Sequence, residues 1–233
     1  MLDRLRPLRD LVWPASCAAC GVAGRTLCPG CALDIATLGN VRRHAPTPPP
    51  PGFPRTFTWG DYEGGLRRLV VAYKDEDRAD AAPLLAALLG DVVEAALDGL
   101  SEPVLIPVPS SPASRRARGR DPLLDIARRM RLPTPVPIVP ALRVARRVED
   151  QAGLGQDARR ANLSGSMALL PGARDLLGGA DVVLVDDVVT TGSTLAEAAR
   201  ALQSDRFAEG GPSAQTRVAS IRAAVICATQ RRK

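Results

Sequence analysis

Val182-Val183-Leu184-Val185-Asp186-Asp187-Val188-Val189-Thr190-Thr191-Gly192-Ser193-Thr194 is the stretch that decides the fold. Val182 to Val185 is apolar and mostly β-branched, the pattern of a strand buried on both faces of a parallel sheet. Asp186 and Asp187 set two carboxylates at its C-terminal end, where open α/β sheets take ligands. A run of small hydroxyl residues then surrounds Gly192. Leu195, Ala198, Ala199 and Leu202 follow at helical spacing. Thr194 and Glu197 have the spacing of a capping box at the start of that helix.

The chemistry follows from the order of these parts. A helix N-terminus leaves backbone N–H groups without internal partners, and the helix dipole adds partial positive charge there. Gly192 lets the backbone approach closely, and Thr190, Thr191, Ser193 and Thr194 add hydroxyl donors. Such a turn is a phosphate cradle. The carboxylate pair just before it suits sugar hydroxyls or a divalent cation. Phosphate, sugar diol and metal at one strand end describe a phosphorylated ribose. A Walker-B strand would need a partner Gly-x-x-x-x-Gly-Lys-Ser/Thr loop, and the only lysines, Lys74 and Lys233, sit in no such setting. A receiver-type acidic pocket draws acidic residues from near the first strand, whereas this pair comes late.

The remaining chain builds an α/β domain around that motif. Its 233 residues allow one medium domain and a small appendage. Hydrophobic content of 45% is ample for a core, and 24% charge is ordinary. Aromatics at 3% disfavour a base-stacking platform. The net charge of +6 permits an acidic partner such as phosphate or nucleic acid. No run approaches the length of a membrane helix, so no membrane insertion is expected. Met1 to Trp13 is broken by charges and does not read as a signal peptide, so the cytoplasm is the expected compartment.

Four of the five cysteines form Cys17-x-x-Cys20 and Cys28-x-x-Cys31. That spacing suits a tetrahedral all-thiolate zinc site of structural type, and disulfides or free thiols are the alternatives. A reducing compartment favours zinc. Cys227 lies in an apolar run and reads as a buried thiol.

Residues 44–54 are rich in proline and read as an extended linker, with His44 solvated on it. Leu66, Leu69, Val70 and Tyr73 mark a helix ending at Lys74, and Leu84 to Ala96 mark a second. Val104 to Ile106 reads as a strand. Pro107-Val108-Pro109-Ser110-Ser111 follows it, and then a basic loop with Arg115, Arg116, Arg118 and Arg120. Asp121-Pro122 opens another helix. Residues 133–140 read as a short strand, and Val218 to Cys227 as the last one. Arg143, Arg146, Arg147, Gln151, Arg159, Arg160 and Asn162 form a basic segment. The expected fold class is α/β, a parallel twisted sheet flanked by helices with a small N-terminal zinc-binding extension. The expected divisions are 1–40 for the knuckle, 41–60 for the linker and 61–233 for the main domain.

Val182 to Thr194 resembles the signature for phosphoribosyl pyrophosphate (PRPP) in type I phosphoribosyltransferases. The cysteine knuckle, Tyr73-Lys74, the Pro-Val-Pro-Ser loop with Arg118-Gly119, and Gln151…Arg159-x-x-Asn162 precede it in order. Together they resemble the ComF family, which includes GntX-like members, over nearly the whole chain. The resemblance implies a PRPP-binding domain in which Asp186 and Asp187 take the ribose hydroxyls with Mg²⁺ nearby and serve as the catalytic carboxylates. It implies that Thr190, Thr191, Gly192, Ser193 and Thr194 hold the 5′-phosphate, with Ser110 and Arg118 near the pyrophosphate. It also implies a link to DNA uptake in natural competence, with single-stranded DNA or competence-machinery proteins as partners. Two readings follow: a transferase passing ribose 5-phosphate to an acceptor, or a catalytically silent PRPP-type module serving DNA uptake. The chain departs from the family pattern in two places. Arg118-Gly119-Arg120-Asp121 stands where Arg-Gly-Phe-Asn is usual, and Asp75-Glu76-Asp77 stands where a glycine is expected after Tyr73-Lys74.

Overall fold

A computed structural model describes residues 16–111, 116, 118–145, 165–204 and 217–230. The readings at Met1 to Trp13, Arg115, Arg146, Arg147, Gln151, Arg159, Arg160 and Asn162 lie outside the described residues.

The main sheet has five strands in the order β1-β2-β7-β6-β3. These are β1 (Arg42–His44), β2 (Arg55–Asp61), β3 (Pro103–Pro107), β6 (Asp181–Val189) and β7 (Ser220–Ala228). The β2–β7, β7–β6 and β6–β3 pairs are parallel, and β1 is antiparallel to β2. Two short strands, β4 (Leu142–Val144) and β5 (Met167–Leu169), pair separately. The fold is therefore a mostly parallel mixed sheet flanked by helices, with a four-cysteine cluster near its N-terminus.

Val182 to Val185 are all 0% exposed, so both faces of β6 are covered. Each such side chain contributes about 1.5–3 kcal/mol relative to leaving it in water. The described helices include, in chain order, α1 (Pro29–Leu38), α2 (Gly64–Asp75), α3 (Ala82–Leu97), α4 (Pro122–Arg129), the short α5 (Ala173–Leu177) and α6 (Ser193–Gln203), and α2, α3, α4 and α6 supply the covering surfaces. Helix α3 packs against β7, and Arg222 donates to Ala96 O and Asp98 O at the end of that helix. Asp121 caps α4 by accepting from Leu124 N–H at 3.2 Å, with Pro122 at its first position.

Three local readings change. The proline-rich stretch is not a free linker: β1 and β2 flank it and belong to the sheet. Thr56 and Thr58 on β2 are buried, their hydroxyls satisfied by Pro54 O and Gly60 O, so a polar sequence conceals a core strand. His44 is half-buried on β1 rather than solvated. Residues 133–140 form no strand beyond one parallel bridge, Ile138 to Leu105, because their prolines cannot donate to a ladder.

Candidate active site and metal centre

β3 stops pairing where β6 still has residues to run. The last β3–β6 pair is Pro107 with Val185, followed by Val108 N–H to Val185 O at 2.9 Å. The chain then leaves as Val108 to Ser111, with Ser110 half-buried on that loop. Asp186 and Asp187 therefore come just where the edge opens. Asp186 Oδ1 accepts from the Asp187 amide at 2.9 Å. Burial pushes the Asp186 carboxyl above the usual carboxylate range, and the neighbouring Asp187 charge adds to this. Cys227, fully buried on β7, lies behind the pair with Sγ 3.7 Å from Asp187 O.

Beyond Val189 the chain turns through Thr190 and Thr191 to Gly192, whose φ of 76° is left-handed. Gly192 is the N-cap of α6 and makes no side-chain cap. The Thr194–Glu197 capping box is therefore not formed. Glu197 is buried and turns instead to β5, accepting from Met167 N–H at 2.9 Å and from Arg200. Thr191 Oγ1 donates to Ser193 Oγ at 3.0 Å, and Ser193 N–H points back to Thr191 Oγ1 at 3.4 Å. Thr190 is exposed and Thr194 half-buried. A Cβ on Gly192 would lie 2.6 Å from the Phe53 ring and 3.0 Å from Pro46. The stretch read as a linker thus forms a wall against the phosphate-type turn. Its aromatic and its prolines carried no sequence signal of that contact.

The cation at the acidic pair is Lys74, from the last turn of α2. Its Nζ lies 2.8 Å from Asp187 Oδ2. Burial disfavours the ammonium, but the Asp187 charge and hydrogen bond outweigh it and hold Lys74 above its ordinary range. Arg118 stands close enough to oppose that charge, and its Nη2 donates to Asp75 Oδ1 at 2.9 Å.

The two departures from the family pattern face each other. Arg118 pairs with Asp75, and Arg120 lies 3.6 Å from Asp77. Arg120 also covers the Tyr73 ring at 4.4 Å, a cation–π contact, and donates to Tyr73 O. Asp77 adopts φ 53°, the conformation a glycine would take without cost. Tyr73 is fixed by donating to Pro122 O and Asp125.

The ligand atoms of Cys17, Cys20, Cys28 and Cys31 all lie within 4.8 Å of one another. Cys20 and Cys28 sulfurs are 3.6 Å apart, and all the cysteines are unpaired. A tetrahedral zinc with bonds of about 2.3 Å separates its sulfurs by about 3.8 Å, so the cluster fits such an ion. Cys28 N–H points at Cys17 Sγ at 3.4 Å and Cys31 N–H at Cys28 Sγ at 3.5 Å, the amide donors that thiolate ligands use. Cys31 and Ile35 are the buried residues of α1 (Pro29–Leu38), and Ile35 packs on Gly65 of α2.

Comparison with known proteins gives this geometry its family. Residues 86–233 match the phosphoribosyl transferase domain. The chain belongs to the phosphoribosyltransferase family. This phosphoribosyltransferase-family chain is also similar to the DNA utilization protein YhgH of Escherichia coli O157:H7, with 32% identity over 197 residues, covering 80% of this chain and 83% of that one. With the cysteine cluster ahead of the domain, the relationship makes it a ComF-type member of the phosphoribosyltransferase family. No helix among its described residues is long and apolar enough to cross a membrane.

Proposed function

We propose that this protein binds PRPP with Mg²⁺ at the C-terminal end of β6 and transfers ribose 5-phosphate to an acceptor. One observation carries the reading: Lys74, Asp187 and Asp186 converge beside a left-handed glycine turn that opens a helix. Asp186 and Asp187 take the ribose hydroxyls, and Thr190 to Thr194 hold the 5′-phosphate through N–H and hydroxyl donors. Lys74 and Arg118 face the pyrophosphate, with Ser110 on the neighbouring loop. A Mg²⁺ ion held with the ligand beside Asp186 and Asp187 would supply neutralisation of pyrophosphate charge. The acceptor's lone pair forms the new bond, pyrophosphate keeps the old pair, and the acceptor loses its proton. The chain's own part is positioning and charge stabilisation.

The cysteine cluster holds one structural zinc, and a cytoplasmic setting suits its reduced thiols. A second reading is favoured by the relative's description as a DNA utilization protein: a silent PRPP-binding module acting in DNA uptake, with single-stranded DNA or competence proteins as partners. Titration calorimetry with PRPP and Mg²⁺ tests both readings, followed by a pyrophosphate-release screen over nucleobases. Loss of binding in Asp186→Asn/Asp187→Asn, with the fold retained, supports the site; unchanged affinity refutes it. Binding without turnover on any acceptor, and single-stranded DNA affinity that falls steeply with salt, select the second reading.

A further inference from the structure

The segment after α2 joins the cysteine knuckle to the acidic pair. Arg78 lies just beyond Lys74. Its backbone N–H bonds Ala72 O at 3.1 Å, and Glu76 N–H bonds the same carbonyl at 3.2 Å. Between them Asp77 holds its left-handed φ of 53°. A non-glycine residue keeps that conformation only where its surroundings enforce it.

The Arg78 side chain supplies such a constraint from the other direction. Nη2 donates to Ser16 O at 2.5 Å, and Nη1 reaches Ser16 Oγ at 3.4 Å. Ser16 is the residue before Cys17. Arg78 Nε and Nη2 also grip Asp80 Oδ1 and Oδ2, each at 2.9 Å. Asp80 Oδ2 in turn accepts from Thr26 Oγ1 at 2.7 Å. Arg78, whose own amide closes the end of α2, thus holds the knuckle directly at Ser16 and through Asp80 at Thr26.

The knuckle's separate apolar cluster is only Cys17, Ala19 and Cys31, so its shape depends on the ion it holds. The Arg78–Asp80 pair is partly exposed, with side chains 24% and 39% accessible, and adds little stability by itself. Its effect is geometric.

We propose that Arg78 is a positioning residue: it carries the metal-ordered shape of the Cys17–Cys31 knuckle to the last turn of α2 and so keeps Lys74 against Asp187. The ligand readout of this proposal rests on the PRPP reading, while the turn itself is measured independently.

The test compares zinc-loaded protein, protein stripped with a chelator, zinc-loaded Arg78→Ala and zinc-loaded Arg78→Lys. Hydrogen exchange at the Glu76 and Arg78 amides is measured in each, with metal content and PRPP titration in Mg²⁺. Arg78→Ala keeps its zinc, yet both amides exchange about tenfold faster. Its PRPP dissociation constant rises about tenfold or more. The stripped protein behaves likewise. Arg78→Lys, which still donates to Ser16 O, recovers part of both effects. Wild-type exchange in zinc-loaded Arg78→Ala overturns the proposal, whatever the stripped form does. Fast exchange with an unchanged PRPP constant also overturns it, since the turn would then not govern Lys74. Fast exchange in a protein that binds no PRPP upholds the link from knuckle to turn and rejects the PRPP reading instead.

Discussion

Lys74 Nζ sits 2.8 Å from Asp187 Oδ2, tying the end of α2 to the acidic pair of β6. The contact joins residues far apart in the chain, and their side chains are only 28% and 16% exposed. It places one positive charge against two adjacent carboxylates in poorly solvated surroundings. Removing that charge leaves the poorly solvated Asp187 carboxylate without its partner.

Lys74→Ala therefore lowers folding stability by about 1–3 kcal/mol at neutral pH. On the proposed PRPP reading it also weakens PRPP binding at least about tenfold, because the cation beside the acidic pair is lost. Thermal melts and calorimetry measure both. A variant with wild-type melting and wild-type affinity would show that the ion pair contributes nothing to the site.

Asp186 has an unusual pH signature. Its folded-state pKa is raised, chiefly by burial and then by Asp187. Across the window from about pH 4, the ordinary carboxylate value, up to the raised value, the folded state binds more protons than the unfolded one. Stability contributed by this group therefore declines as pH rises through the window. Asp186→Asn removes the penalty, so its melting temperature at pH 7 exceeds that of the unliganded wild type and its pH slope is flatter. Melts between pH 5 and 8 decide the matter, and a variant less stable at pH 7 would contradict it.

Glu197 has the opposite sign. Burial works to raise its pKa, but the Arg200 hydrogen bonds and the Met167 amide lower it overall. Its contribution is present above the ordinary carboxylate value and is lost as pH falls through the depressed one. Glu197→Ala leaves the Met167 N–H unpartnered and costs roughly 1–3 kcal/mol. At roughly 2–4 °C per kcal/mol for a chain of this size, the loss is visible in a melt at pH 7. No change there would mean that water replaces the carboxylate without penalty.

Gly192 is constrained twice, by its φ of 76° and by the Phe53 ring 2.6 Å from where a Cβ would stand. Gly192→Ala costs roughly 1–3 kcal/mol. Adding Phe53→Ala relieves the clash but not the backbone strain, so the double variant recovers only part of the loss relative to Phe53→Ala alone. A double-mutant cycle measures the coupling, and strict additivity would argue that the ring gives way freely.

Cys17→Ser breaks the four-thiolate set. Metal content falls from about one zinc per chain, and the knuckle exchanges its amides faster. Mass spectrometry of the metal reads this directly, and full zinc retention would count against a site that uses Cys17.

The central motif was legible because each level agreed. Val182 to Val185 could only satisfy their apolar surface between two covered faces, and the helix-spaced residues after Gly192 are buried as α6. The cysteine spacing was equally direct, since two Cys-x-x-Cys turns close within reach of one ion. The β2 strand was not legible, because buried threonines satisfied by backbone carbonyls look like polar linker residues. Glu197 stood at capping-box spacing from Thr194, yet the β5 amide offered it a better partner than the helix end did.

The sequence by itself determined which segments are strands around the acidic pair, where the glycine turn falls and which thiols cluster, since those depend on local pattern and spacing. Only the tertiary structure decided that Lys74 answers Asp187, that Phe53 walls Gly192, and that Asp75 and Asp77 answer Arg118 and Arg120. Those contacts join residues distant along the chain. Their partners are chosen by how helices and loops dock on the sheet, and no periodicity records that choice.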